Sequence, residues 1–177
     1  MIQDRKIVLY IAASLDGYIA TKDENLDWLF AVEGEGDNGY SSFYQTIDTI
    51  LIGRTTYDWI IKQENGNFPY QGKECYVFSS TPKEDTEHVR FICKDIIPLI
   101  KDLKARNGKK IWLVGGGKLV DTFLKEKLVD EIILNIAPKL LGDGIPLFHK
   151  NDFESSLVLK QTRQFNQFIE LSYEVLS

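Results

Sequence analysis

The sequence predicts an α/β fold, a single three-layer domain over residues 1–177. Its twisted sheet is mostly parallel, with antiparallel strands at the C-terminal edge. Three observations carry this reading. Short apolar runs rich in β-branched residues alternate with amphipathic helical stretches. Several of those runs end at a glycine or a hydroxyl-rich turn, and two alternating segments close the chain as a hairpin. With 44% hydrophobic and 27% charged residues, the 177-residue chain can bury about 70% of its unfolded surface and needs no disulfide or metal staple.

The elements follow in order. Residues 7–13 form a continuous apolar run, as a strand covered on both faces requires. Residues 40–47 read as a short helix, and 49–52 as a buried strand ending at Gly53. Residues 55–62 are helical in pattern, Glu74–Phe78 is a strand, and 88–92 is a weaker one. The clearest helix comes next. Asp95 is placed to cap it, Pro98 sits in its first turn, and Ile96, Leu99, Ile100 and Leu103 line one face. Asn107 and Gly108 end it. Residues 110–114 form a strand, 115–117 a turn, and 118–127 a helix with Leu119, Val120, Phe123 and Leu124 facing inward. A further strand spans 130–137, and 157–162 pairs with 168–176.

Charge and cysteine usage narrow the function classes. Twenty-one Lys and Arg against 26 Asp and Glu give a net charge of −5, which argues against a nucleic-acid or anionic-membrane partner across the whole surface. The apolar run at 7–13 is too short to span a bilayer, and no leader precedes it, so the expected compartment is the cytoplasm. Cys75 and Cys93 are expected to be two buried strand thiols. His88 and His149 stand alone, and no Cys-x-x-Cys or His-x-Glu motif supplies zinc ligands, so no metal site is expected.

Four segments carry candidate chemistry. Val114-Gly115-Gly116-Gly117-Lys118-Leu119 is a strand running into a glycine turn that opens a helix. Missing Cβ atoms let backbone approach a pyrophosphate, and the free N–H groups of the helix favour its charge. Taken alone it is equally a tight connection, and Val120 at the sixth position breaks the common dinucleotide fingerprint. Gly53-Arg54-Thr55-Thr56 repeats the logic, since a guanidinium at a helix start can meet a phosphate with two parallel bonds. A surface Arg and a capping Thr is the plain alternative. Ser79 and Ser80, with Lys83 nearby, offer hydroxyls after another strand. Finally, Ala12 to Ala20 puts small residues at a strand end, where a flat ring can approach, and an Asp16-Gly17 turn beyond them.

Taken together, the strand-ending segments ASLDGYIA, IGRTTYD and VGGGKL resemble, in order and spacing, the dihydrofolate reductase-like superfamily. Within it the chain is more similar to the reductase domain of the bifunctional riboflavin-biosynthesis deaminase-reductase than to true dihydrofolate reductase. Residues 128–148, with the Leu141-Gly142-Asp143-Gly144 turn and Pro146-Leu147-Phe148, extend the match to about residues 5–175. The resemblance implies NADPH across the carboxyl ends of the strands. Gly115, Gly116, Gly117, Lys118 and Leu119 would hold the pyrophosphate. Gly53, Arg54, Thr55 and Thr56 would hold phosphates and the 2′-phosphate, and Ser79 and Ser80 the adenosine end. Ala12 and Ile19 would flank the nicotinamide, with Asp16 and Gly17 in the adjoining loop.

The departures shape the expected activity. The family's folate-binding carboxylate on the first helix has no clean equivalent in the acidic, glycine-rich stretch 33–40, where Asp37 is the nearest candidate. The resemblance covers only the reductase half of the riboflavin enzyme, so no deaminase activity is expected of these residues. The expectation is an NADPH-dependent reductase acting on a small heterocyclic or ribose-bearing substrate. The proton would come from Asp37, Tyr40 or water, and Trp28 and Phe43 would wall the substrate side. Dihydrofolate reduction, or nucleotide binding without turnover, are the rival readings. Relatives are commonly homodimers, and Leu140, Leu141, Ile145, Leu147 and Phe148 beside a sheet edge support the same expectation here.

Overall fold

The computed structural model describes residues 4–176. In chain order its strands and helices are β1 (Ile7–Ser14), β2 (Tyr18–Ala20), α1 (Asp27–Phe30), α2 (Tyr40–Tyr44), β3 (Ile47–Gly53), α3 (Arg54–Gln63), β4 (Glu74–Phe78) and β5 (Val89–Ile92). There follow α4 (Ile96–Ala105), β6 (Lys110–Gly115), α5 (Gly117–Lys125), β7 (Glu131–Ala137), β8 (Ile145–Pro146), β9 (Leu157–Phe165) and β10 (Phe168–Val175). Eight strands form one sheet in the order β5-β4-β3-β6-β1-β7-β10-β9. The six from β5 to β7 are parallel, and β10 is antiparallel to both β7 and β9. The expected α/β architecture is the observed one.

The sheet separates two cores because strand side chains alternate between faces. On one face Ile7, Leu9, Leu51 and Leu113 meet Ile100 and Leu103 of α4 and Val120 and Phe123 of α5, all fully buried. On the other, Val8, Ile50, Ile52, Val77 and Trp112 pack with Phe43 of α2 and with Ile60 and Ile61 of α3. Each such side chain contributes roughly 1.5–3 kcal/mol by leaving water. Strands buried on both faces read as nearly continuous apolar runs, and this is why they stood out in the sequence.

Several details differ from expectation. Asp95 does not cap α4: it adopts a left-handed conformation (φ 58°) and makes no side-chain capping bond. Cys75 is a buried strand thiol, but Cys93 lies just beyond β5 and is only half-buried. Leu147 is buried, and Ile145 half-buried, so neither adds to an exposed edge. The helix sought at 40–47 is shorter, because Ile47 already belongs to β3. The small β2–β8 pair and α1 were not read from the sequence.

Candidate functional site

Strand order sets the position of the site. After β3 the chain turns through α3 to β4 on one side, whereas after β6 it turns through α5 towards β7 on the other. The carboxyl ends of β3 and β6 therefore flank the point where the winding reverses, which is where open α/β sheets leave a crevice. Glycines let the two strand ends approach closely with bare backbone. A Cβ on Gly53 would lie 3.3 Å from the Gly116 nitrogen and 3.4 Å from the Gly115 oxygen. One on Gly116 would lie 3.0 Å from Thr56 Oγ1. Gly115 has φ 129°, a region closed to most side chains, and is joined to Gly116 by a cis peptide bond.

Gly116 is the N-cap residue of α5, and its carbonyl accepts from the Leu119 and Val120 amides, both at 3.0 Å. The amides of Gly117 and Lys118 lie in the first helical turn, where no preceding turn supplies an acceptor. Gly117 is buried under the loop after β8: a Cβ there would meet His149 Cε1 at 2.6 Å and the Pro146 oxygen at 2.9 Å. His149 Nδ1 in turn lies 2.5 Å from Asp121 Oδ2 of α5, outside hydrogen-bonding geometry.

Arg54 opens α3. Its Nε donates to Asp58 Oδ2 at 2.6 Å, one turn along, and its guanidinium carbon lies 5.6 Å from the centre of the Phe91 ring. Lys83 Nζ lies 4.8 Å from the same ring. The loop after β4 thus brings a second cation towards Arg54. Ser79 is tied to β5 through its amide and the Ile92 oxygen at 2.9 Å, and Ser80 is exposed beside it.

At the end of β1, Asp16 is committed to the fold. Its carboxylate accepts from the Ser14 hydroxyl at 2.6 Å and from the amides of Leu141 and Gly142 at 3.1 and 2.8 Å. The Ser14 hydroxyl, with those two amides, holds the Asp16 carboxyl below the ordinary aspartate range. Gly17 takes φ 89° in the same turn, and its carbonyl accepts from Leu147 of the loop after β8. Ala12 and Ile19 are half-buried on β1 and β2.

The candidates on the substrate side fall into different places. Asp37 is exposed and accepts from the amides of Gly39 and Ser41 at 3.1 and 2.8 Å. The Ser41 hydroxyl and amide, with the Gly39 amide, hold its carboxyl below the ordinary range. Phe43 is buried, stacked on Tyr10 with ring centres 4.0 Å apart, and edge-on to Trp112 at 5.5 Å. Tyr40 joins the same aromatic group, and burial pushes its phenol up to about 12. Trp28 lies apart on α1, donating to the Asn25 oxygen at 3.2 Å. Between α1 and α3 runs a groove of about 460 Å³, lined by Leu26, Phe30, Thr55 and Trp59 and by Asp23, Glu24, Asp27 and Asp58.

Sequence reading missed Tyr10, Asn135, Glu170 and Arg163, which meet on the face of the sheet beside Ala12. Burial, and then the nearby Glu170 charge, pushes the Tyr10 phenol up to about 12. One available signal was the lone Asn in the otherwise apolar core of β7, EIILNIA. Among the described residues no group of three His, Cys, Asp or Glu side chains could hold a metal ion, and no helix is long and apolar enough to cross a membrane.

Sheet order, crevice and glycine turn define the class as a dihydrofolate reductase-like α/β domain. The chain belongs to the RibD C-terminal domain family, which matches residues 5–170. It is 50% identical over 171 residues to the YwjB protein of Bacillus subtilis (strain 168), covering 96% of this chain and 98% of that one. The crystal structure of a putative riboflavin biosynthesis protein from Shewanella sp. PV-4 is similar with a TM-score of 0.86 at 30% identity, covering 97% and 99% of the two chains. Dihydrofolate reductase of Enterococcus faecalis, solved with NADP(H), shares the fold with a TM-score of 0.64 at 15% identity and 97% coverage of both chains.

Proposed function

We propose that the protein is an NADPH-dependent reductase that delivers hydride to a small heterocyclic or ribose-bearing substrate. The closest reaction is that of the 5-amino-6-(5-phosphoribosylamino)uracil reductases of riboflavin biosynthesis. The glycine crevice carries the reading. Gly53, Gly115 and Gly116 bring the ends of β3 and β6 together with bare backbone and no side chain between them, directly before the first turn of α5. An anionic pyrophosphate suits that place, because backbone can approach it and helix amides face it. Gly117, Lys118 and Leu119 would complete this cradle. Arg54, Thr55 and Thr56 would hold the 2′-phosphate, helped by Lys83, with Ser79 and Ser80 at the adenosine end. Ala12 and Ile19 would flank the nicotinamide, and Asp16 and Gly17 would fix the loop beside it.

The bound nicotinamide supplies the hydride, and the protein supplies the relative placement of two rings. Asp37, held ionised by its capping bonds, has no proton to give at neutral pH. The Tyr40 hydroxyl and water remain as proton sources; Phe43, buried and stacked on Tyr10, supports the aromatic group from beneath, and Trp28, on α1, is not joined to it. The test is NADPH consumption, followed by the absorbance of the reduced nicotinamide, with dihydrofolate and the riboflavin-pathway ribosylaminopyrimidine offered in turn. Oxidation that depends on one of them supports the reading. Binding of NADPH without oxidation by any heterocycle would instead make the domain a nucleotide-binding module.

A further inference from the structure

A polar row crosses the sheet beside the place proposed for the nicotinamide. Ala12, Asn135, Glu170 and Arg163 are successive register partners on β1, β7, β10 and β9. Asn135 is 5% exposed and Glu170 1%. Burying an amide and a carboxylate is costly unless both are partnered. Here the partnering is lopsided. Glu170 Oε1 takes both contacts from Arg163, at 2.8 Å from Nε and 2.7 Å from Nη2. Its Oε2 receives only Asn135 Nδ2, at 3.4 Å, and Asn135 Oδ1 is buried without a donor. Buried acceptors rarely stay unpaired, so the row has capacity for donors that the chain itself does not supply.

We propose that Glu170 and Asn135 read the substrate: Glu170 Oε2 and Asn135 Oδ1 accept two adjacent N–H groups from one edge of a flat amino-heterocycle lying against Ala12. The inference deepens the reductase reading and rests on it for the position of the ring. Arg163 is a positioning residue, occupying one carboxylate oxygen so that the other is left for the ligand. Phe165 and Gly39 close the outer end: a Cβ on Gly39 would sit 3.0 Å from Phe165 Cζ and 3.2 Å from Arg163 Nη2.

The test is a calorimetric titration of the protein with 4,5-diaminopyrimidine, whose neighbouring amino groups supply two adjacent N–H donors, and with pyrimidine, which has no N–H donors, each in the absence and presence of NADPH. The parent should bind the diamino compound and not pyrimidine. Glu170→Gln should weaken that binding about 10- to 150-fold, and Asn135→Leu, which loses one neutral hydrogen bond, roughly 2- to 10-fold. Both variants should keep the parent's NADPH affinity, which also shows that they fold. No binding of the diamino compound to the parent, or equal binding to parent and Glu170→Gln, overturns the inference. If Glu170→Gln does not fold, parent-like affinity in Asn135→Leu overturns it alone. Failure of the parent to bind NADPH would overturn the reductase reading instead, and the titration without cofactor separates the two results.

Discussion

Arg54 already has a partner, and this sets what its removal does. The Asp58 carboxylate takes Nε, while the ring of Phe91 supports the guanidinium. Nη groups not used by Asp58 are the ones available to a 2′-phosphate. A charge-assisted bond of about 1.5–3 kcal/mol corresponds to roughly 10- to 150-fold in affinity. Partial exposure of Arg54 and the neighbouring Lys83 place the effect at the lower end, since solvent and salt screen the pair. Arg54→Ala should weaken NADPH about tenfold and leave NADH nearly unchanged, as titration of both cofactors at fixed ionic strength would show. Equal losses would assign Arg54 to the pyrophosphate. Asp16 makes a prediction of another kind. Its folded-state pKa lies below the unfolded value of about 3.9, so its contribution is present above that value and is lost as pH falls through the folded pKa. Thermal melts should therefore show Asp16→Asn less stable than the parent at pH 7, with the difference shrinking in strong acid. A constant difference across pH would contradict the role given to its capping bonds.

At the scale of elements, the strand–turn–helix from β6 to α5 tests binding and packing separately. Gly116 has φ −79° and ψ −170°, which any residue adopts, and a Cβ there meets only Thr56 Oγ1 at 3.0 Å. Gly116→Val should thus fold, yet lose the rise in melting temperature that NADPH produces. Undiminished NADPH binding would show the phosphate site to be elsewhere. Gly117→Ala is different, because its Cβ would press on the His149 ring and the Pro146 carbonyl. Overpacking of this kind costs about 1–3 kcal/mol, which lowers the melting temperature of a domain this size by about 2–10 °C. An unchanged melting temperature would mean that the loop after β8 yields freely. These elements were legible because strands such as Glu74–Phe78 are apolar after their first residue and end at turns with their own chemistry. The β2–β8 pair was not, since three residues meeting two across the chain leave no periodic signal. Asp95 misled because its residue type suits a cap while its backbone does not. The Asn135–Glu170–Arg163 row depends on the register of separate strands, which no local pattern contains.

For the whole molecule, the outer edge and loops suggest assembly. Leu140 and Phe148 are 73% and 47% exposed, and the edge strand β9 exposes Leu157, Val158 and Leu159. Such a surface is a pairing liability unless covered, and a two-fold copy of the chain is the proposed cover. Sedimentation at micromolar concentration should give twice 20.3 kDa, and a mass near one chain would end the idea. The claim on which the rest depends is that the crevice between β3 and β6 binds NADPH. At a hundred times its dissociation constant a ligand adds about 2.7 kcal/mol of stability, or roughly 5–10 °C for a chain of this length. The most direct measurement is the melting temperature of the parent protein titrated with NADPH and, separately, with NADH. The account predicts a saturable rise of that size with NADPH, reached at lower concentration than with NADH; no rise with either cofactor at millimolar concentration would contradict it.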